Sequence, residues 1–352
     1  MKSRKGMVWL AILLVLALVV FAYRDRVHFD WAVFWMQLRH VRWVHIAAGI
    51  ALIYATFWLR AARWSVFIGA TKKVSPHVLV GPQFVGFTAV SLFGRLADVI
   101  RPALVAKRIQ LSISSQVAVY TIERMFDLGA AALIISGALR FVGDMPGHEK
   151  FVQAGRFSLY WIAALAVFAV VIRAAGDAVA EIAGTTIGWL SKPIGESVAH
   201  KIRGFRDGLD AIRSAQDFLF VSLISLAMWG MIGYAYVETL RAFVDTPQLA
   251  NISFSRTMLL MAASILASVF QLPVIGWFTQ IVATATTMHE FYGAPIEAAT
   301  ACGALLLLVT CLCIIPTGLM FARINHVNLK KVAAESGAGA TRDDASGTMN
   351  SA

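Results

Sequence analysis

Residues 94–127 read GRLADVIRPALVAKRIQLSISSQVAVYTIERMFD, and this stretch decides how the rest of the chain is understood. It holds Arg95, Asp98 and Arg101 in one cluster and Glu123, Arg124 and Asp127 in a second. The second cluster lies inside residues 116–139, a run otherwise apolar enough to span a bilayer. An ionisable side chain at mid-bilayer costs about 2.5–3.5 kcal/mol on insertion scales. Three so close together are tolerable only where they face a partner or a wet cavity, so the sequence implies a polar interior within a membrane protein.

Composition agrees. Of 352 residues, 59% are hydrophobic and 14% charged, against about 25% charged in soluble domains. The net charge of +11 is the Lys and Arg excess expected of cytoplasmic loops facing anionic lipid, and no basic run with interleaved aromatics points to nucleic acid. Cys302, Cys311 and Cys313 all fall in the last apolar run, with no metal spacing and no disulfide framework. A basic start (Lys2, Arg4, Lys5) and an apolar run without a small-x-small cleavage site read as an uncleaved first span.

Spanning runs are expected at 7–23, 44–59, 116–139, 157–172, 218–240 and 296–322, the last kinking near Pro316 and Gly318. Two further apolar segments, 78–93 with Gly81, Pro82 and Gly86, and 257–288 with Pro273 and Gly276, are interrupted and predict broken or re-entrant hairpins. The fold class is therefore all-α: a polytopic membrane bundle of six spanning helices and two broken hairpins. Loop charges place both termini in the cytoplasm. Each half, 1–140 and 155–325, reads span, span, broken hairpin, span, and the texts SLFGRLADVIRP from Ser91 and SVFQLPVIGWFTQ from Ser268 start alike. With an odd number of spans per half the repeat is inverted, a pattern that puts transporter sites at the repeat interface. Residues 1–330 form this domain and 331–352 a polar cytoplasmic tail too poor in apolar residues to fold. Val198, Ile202, Phe205, Leu209 and Ile212 recur at helical spacing, an amphipathic helix lying on the inner membrane face or packed on the spans.

Tyr120, Glu123, Arg124 and Asp127 share one helix face. Arg124 and Asp127 can pair, leaving Glu123 for a cationic or hydroxyl partner. The face is either a binding wall or an ion pair joining helices. Asp98 can neutralise Arg95 or Arg101, leaving a guanidinium fork beside Pro102 that suits a phosphate and faces a cavity with few structural contacts; a cytoplasmic anchor is the bland counterpart. Arg60, Arg63 and Trp64 fit a headgroup-level anchor. No Gly-x-Ser-x-Gly, His-Glu-x-x-His, P-loop or cysteine cluster is present, so no catalytic residue, metal or cofactor is expected.

Three motifs in order carry a resemblance. Leu59-Arg60-Ala61-Ala62-Arg63-Trp64 resembles Leu-Arg-x-x-Arg-Trp. Residues 94–102, from Gly94 and Arg95 through Arg101 and Pro102, resemble Gly-Arg-x-Gly-Glu-x-x-Arg-Pro. Glu123-Arg124-Met125-Phe126-Asp127 resembles Glu-Arg-x-x-Asp. Together they are similar to the transmembrane region of lysylphosphatidylglycerol synthases and their stand-alone flippase-like relatives, over about residues 43–321. Ala97-Asp98 replaces Gly-Glu, and the family's Pro-Gly-Gly-x-Gly stretch followed by Glu is here 272–280, ending in Gln280. After Phe321 only a short, largely polar tail follows, so no aminoacyl-transferase domain is expected. The resemblance implies a bacterial inner-membrane protein that flips or handles a phospholipid-like or polyprenyl-linked lipid, without enzymatic activity. Arg60, Arg63, Arg95, Asp98, Arg101, Glu123, Arg124, Asp127 and Gln280 are its candidate headgroup contacts, the arginines for phosphate and the acids for a cationic or polyol headgroup. A homo-oligomer or a lipid-biosynthesis enzyme would be its protein partner. Two alternatives stay open: a polyprenyl-phosphate-dependent transferase using Asp25 or Asp30, and a scaffold docked through the amphipathic helix.

Overall fold

The computed structural model describes residues 29–327, apart from 70, 95, 96, 99, 112, 142–147, 190, 210, 211, 213, 270–274 and 326. The expected first span at 7–23, Asp25, Arg95, Pro273 and the tail at 331–352 lie outside the described residues. All regular structure among the described residues is helical.

A short helix, α1 (Trp31–Arg39), is started by Asp30, whose carboxylate accepts the N–H groups of Ala32 and Val33. Then come α2 (Trp43–Gly69), α3 (Pro76–Phe93), α4 (Ile100–Ile109) and α5 (Ile113–Leu139). Next are α6 (His148–Gly188) and α7 (Lys192–Leu209). The last group is α8 (Ala215–Arg241), the single turn α9 (Pro247–Ala250), α10 (Phe254–Val269), α11 (Ile275–Tyr292), α12 (Ile296–Thr310) and α13 (Ile315–Ile324).

Among the described residues, four stretches are long and apolar enough to cross a membrane: Trp43–Gly69, Pro76–Phe93, Ala215–Arg241 and Ile296–Ile324. Their outward residues are apolar, among them Trp58, Phe218, Phe220 and Leu223, a surface that suits acyl chains rather than water. The expected run 116–139 falls in α5, 27 residues and about 40 Å long at 1.5 Å per residue. The run 157–172 falls in α6, whose 41 residues exceed what a ~30 Å hydrocarbon core requires. A kink at Ala175 divides α6, and its second part packs on α7, with Gly184 against Ala199 and an ion pair from Arg206 to Asp177.

One expected interruption is absent and one break falls elsewhere. Residues 78–93 are not interrupted, since α3 runs continuously through Pro82; the break comes where this apolar segment was expected to end, at Gly94, whose φ of 76° favours glycine. Pro82 sits in the second turn, where neighbouring helices compensate for one missing N–H. The last span breaks at Cys311, not at Pro316, and passes through a 3₁₀ turn over Leu312–Ile314. Pro316 is the cause, since its ring opposes the carbonyl four residues earlier, at Leu312.

The packing is paired throughout. The two 27-residue helices α2 and α8 lie against each other at the centre. Each carries a helical hairpin, α3–α4 on α2 and α10–α11 on α8, and each hairpin packs on the helix that follows it. α13 lies on α3 as α5 lies on α10, and α5 touches α8 as α12 touches α2. The hairpins approach through Ser91, whose carbonyl accepts the Trp277 indole N–H at 3.1 Å and whose hydroxyl meets the Cys311 thiol at 3.2 Å.

Close approach is tightest at Gly318. A Cβ there would collide with the Thr88 side chain and stand 2.8 Å from the Phe84 carbonyl oxygen. Gly318→Val is expected to destabilise the detergent-solubilised protein by about 1–3 kcal/mol or more. Gly230→Ala, with nothing within 4 Å, should be near neutral. Thermal unfolding of the two variants checks this.

Candidate functional site

Three helices deliver charged groups to one point in the bundle, and two more add neutral side chains. On α2, Arg60, Arg63 and Trp64 point inward at helical spacing. On α5, Glu123 and Asp127 are one turn apart on one face. α4 brings Arg101, α3 brings Gln83 and Phe87, and α8 brings Ser225. Gly86 of α3 makes room for α4, because a Cβ there would stand 2.6 Å from the Arg101 Cβ.

Arg63 is the hub. Its Nη1 donates to Asp127 Oδ1 at 2.7 Å and to Ser225 Oγ at 2.7 Å, and its Nη2 donates to Glu123 Oε1 at 2.8 Å. One guanidinium thus binds both carboxylates, using the forked geometry that a lysine lacks. Arg101 grips Glu123 from the other side, with Nη1 at 3.0 Å from Oε1 and Nη2 at 2.8 Å from Oε2, while Nη1 also reaches Gln83 Oε1 at 3.1 Å. Its guanidinium lies over Phe87 at 4.7 Å and Tyr120 at 5.0 Å. Arg60 stands off at 3.5 Å from Asp127 and 3.7 Å from Glu123, over the Phe87 ring at 4.6 Å. Arg124 reaches Asp127 at 3.2 Å and lies over Tyr120 at 5.1 Å.

Accessibility rises across the cluster. The side chains of Arg63 and Glu123 are sealed, Arg60 is 8% exposed and Arg124 31%. Four guanidiniums face two carboxylates, so positive charge is in excess. Half-buried Asp98 lies near Tyr120 and Arg124, and its charge offsets part of that excess. The buried groups without an aligned hydrogen bond are mostly donors: Gln83 Nε2, Trp64 Nε1 and Arg124 Nε, with Arg60 Nη1 and Arg124 Nη2 facing carboxylates only across their ion pairs. A buried donor without an acceptor is costly, and an oxyanion would supply several acceptors at once.

Several expectations are corrected here. Glu123 is not free for a cation, because Arg63 and Arg101 occupy it. Arg101 is not an exposed fork partnered by Asp98. It is 1% exposed and paired with Glu123, since a guanidinium out of water needs a carboxylate at hydrogen-bond distance. Arg60 and Arg63 are buried cluster members rather than headgroup-level anchors. Arg124 and Asp127 are not an isolated couple, since Arg63 is the closer partner of Asp127. Gln280 is not part of the arginine cluster's bonding. It donates to Ser264 Oγ at 3.0 Å, which also receives the Tyr236 hydroxyl at 2.8 Å. Gln83 and Ser225 were not anticipated. A glutamine directly after Gly81-Pro82 in an apolar run was a usable signal, whereas a serine on α8 gave none. Among the described residues no group of three or more His, Cys, Asp or Glu could hold a metal.

Removing the hub orphans two buried carboxylates, so Arg63→Ala should cost about 3–5 kcal/mol. Arg124→Gln, at the open rim with Asp127 still held by Arg63, should stay within about 1 kcal/mol. Thermal unfolding in detergent separates the two, and equal losses would contradict the gradient of burial.

No curated protein and no solved structure matches the chain. A family model does: that of the lysylphosphatidylglycerol synthase TM region matches residues 8–318. Its match covers α1 through α12 and the first turn of α13, including every helix that feeds the arginine cluster. The chain is a membrane-embedded member of the lysylphosphatidylglycerol synthase transmembrane-region family.

Proposed function

We propose that this protein moves a phospholipid-like or polyprenyl-linked lipid between the leaflets of the bacterial inner membrane, without catalysing a covalent change. The observation that carries the reading is the surplus of buried donors around the central part of α5, at Arg60 of α2, Gln83 of α3 and Arg124 of α5 itself. Charge in that place is expensive, and an ion pair serving only to join helices would need no excess guanidiniums. A lipid phosphate entering beside Arg124 would find Arg60 and Gln83 behind it. The sealed pairs around Arg63 hold the site in shape while the rim stays open.

The paired packing supports an inverted repeat with halves at 1–140 and 155–325, since each contact among α2–α5 has a counterpart among α8–α13. In such repeats the site sits where the broken hairpins meet, and motion of one half against the other gives alternating access. Both termini would be cytoplasmic. A cysteine at Asp245 should then be labelled by an impermeant reagent from outside the cell, and one at Lys73 only after the membrane is opened. The reverse pattern would refute the orientation.

A transferase acting through Asp30 draws no support from the geometry, because that carboxylate caps α1. In vesicles holding the purified protein, exchange of fluorescent lipids should fall at least about tenfold in Arg124→Gln, a barrier increase of about 1.4 kcal/mol. Asp30→Asn should exchange lipid normally. Full exchange by a folded Arg124→Gln protein would remove the basis of the proposal.

A further inference from the structure

We infer that the lipid accepted by this site is net anionic, with its phosphate as the only charged group, and that a cationic headgroup such as a lysyl ester is rejected. This rests on the lipid-transfer reading and narrows it. A headgroup amine in a site shielded from water needs an uncommitted carboxylate at hydrogen-bond distance. Each buried acid among the described residues is already committed. Glu123 is fully enclosed between Arg63 and Arg101, and Asp127 is held by Arg63 with Arg124 and Arg60 close by. Asp98, half-buried, stands close enough to Arg124 and Tyr120 for its charge to act on both.

The second hairpin, which packs on α5 through α10, might have provided the missing acid, but the groups it buries are neutral: Ser264, Gln280, Thr284 and Thr287. Gln280 is neutral, and its amide N–H is turned to Ser264. Glu238, half-buried outside the cluster, is hydrogen-bonded to His45 at 2.7 Å and paired with Arg241 at 3.1 Å. A lysylated phosphatidylglycerol carries two ammonium groups and one phosphate. It would bring net positive charge against surplus guanidiniums in a medium that screens little. Phosphatidylglycerol, or a polyprenyl phosphate, brings only an anion, whose oxygens suit the donor atoms of Arg60, Gln83 and Arg124 that make no hydrogen bond.

The test uses the full chain in two formats. In vesicles, fluorescent phosphatidylglycerol should exchange at least about tenfold faster than its lysylated form, equivalent to ~1.4 kcal/mol. Gln280→Glu should narrow that ratio by admitting the lysyl lipid. In detergent, short-chain phosphatidylglycerol should raise the thermal midpoint and the lysylated short-chain lipid should not, with the rise lost in Arg124→Gln. Equal or faster handling of the lysylated lipid, in either format, overturns the inference and leaves lipid transfer standing. If no lipid exchanges but the thermal selectivity is present, the charge preference survives and the transfer reading fails. Stabilisation by inorganic phosphate equal to that by the lipid would make this a free-phosphate site and defeat the lipid assignment.

Discussion

Two carboxylates shared among four guanidiniums inside a lipid-facing bundle is the constraint from which the rest of the structure follows. Neither sign could be buried alone, and Arg63 resolves this by forking onto Glu123 and Asp127 together. That arrangement requires α2 and α5 to stand at one separation and one rotation. It also requires α4 to bring Arg101 close, which α3 permits by having no side chain at Gly86. The cluster is thus both the joint of the first half and, through Ser225, its polar link to α8.

The two halves use the same helix order for different chemistry. In the first, the hairpin and the following helix meet through charge. In the second, the corresponding elements meet through Tyr236, Ser264 and Gln280, hydroxyl and amide groups that satisfy one another. A neutral network transmits no net field, so the electrostatic character of the interior comes from one side. This one-sidedness limits what the interior can accept more than any single residue does.

Much of this was legible in the sequence. The charged run in residues 94–127, the Gly- and Pro-marked hairpins and the span, hairpin, span order all follow from hydropathy and the cost of charge in lipid. The ordered motifs also pointed to the family. Partner choice was not legible. Helical spacing showed that Glu123 and Asp127 share a face, but only tertiary packing could bring Arg63 between them from 60 positions earlier. Arg60 and Arg63 looked like interfacial anchors because they follow an apolar run, whereas α2 continues to Gly69 and buries them. The break in the last span was misplaced because a proline disturbs the turn before it rather than its own position.

The backbone opened by Pro316 is closed by side chains from the other half of the molecule. The Tyr54 hydroxyl donates to the Cys313 carbonyl at 2.8 Å and meets Thr317 Oγ1 at 2.7 Å, and the Thr88 hydroxyl reaches the Ile314 carbonyl at 3.3 Å. In lipid a bare carbonyl has no water to turn to, so α2 and α3 cannot part from this segment without stranding polar backbone. The molecule is therefore tethered where it is broken. Any change of shape must pivot about that tether, with the parts on either side swinging while the repaired turn stays closed.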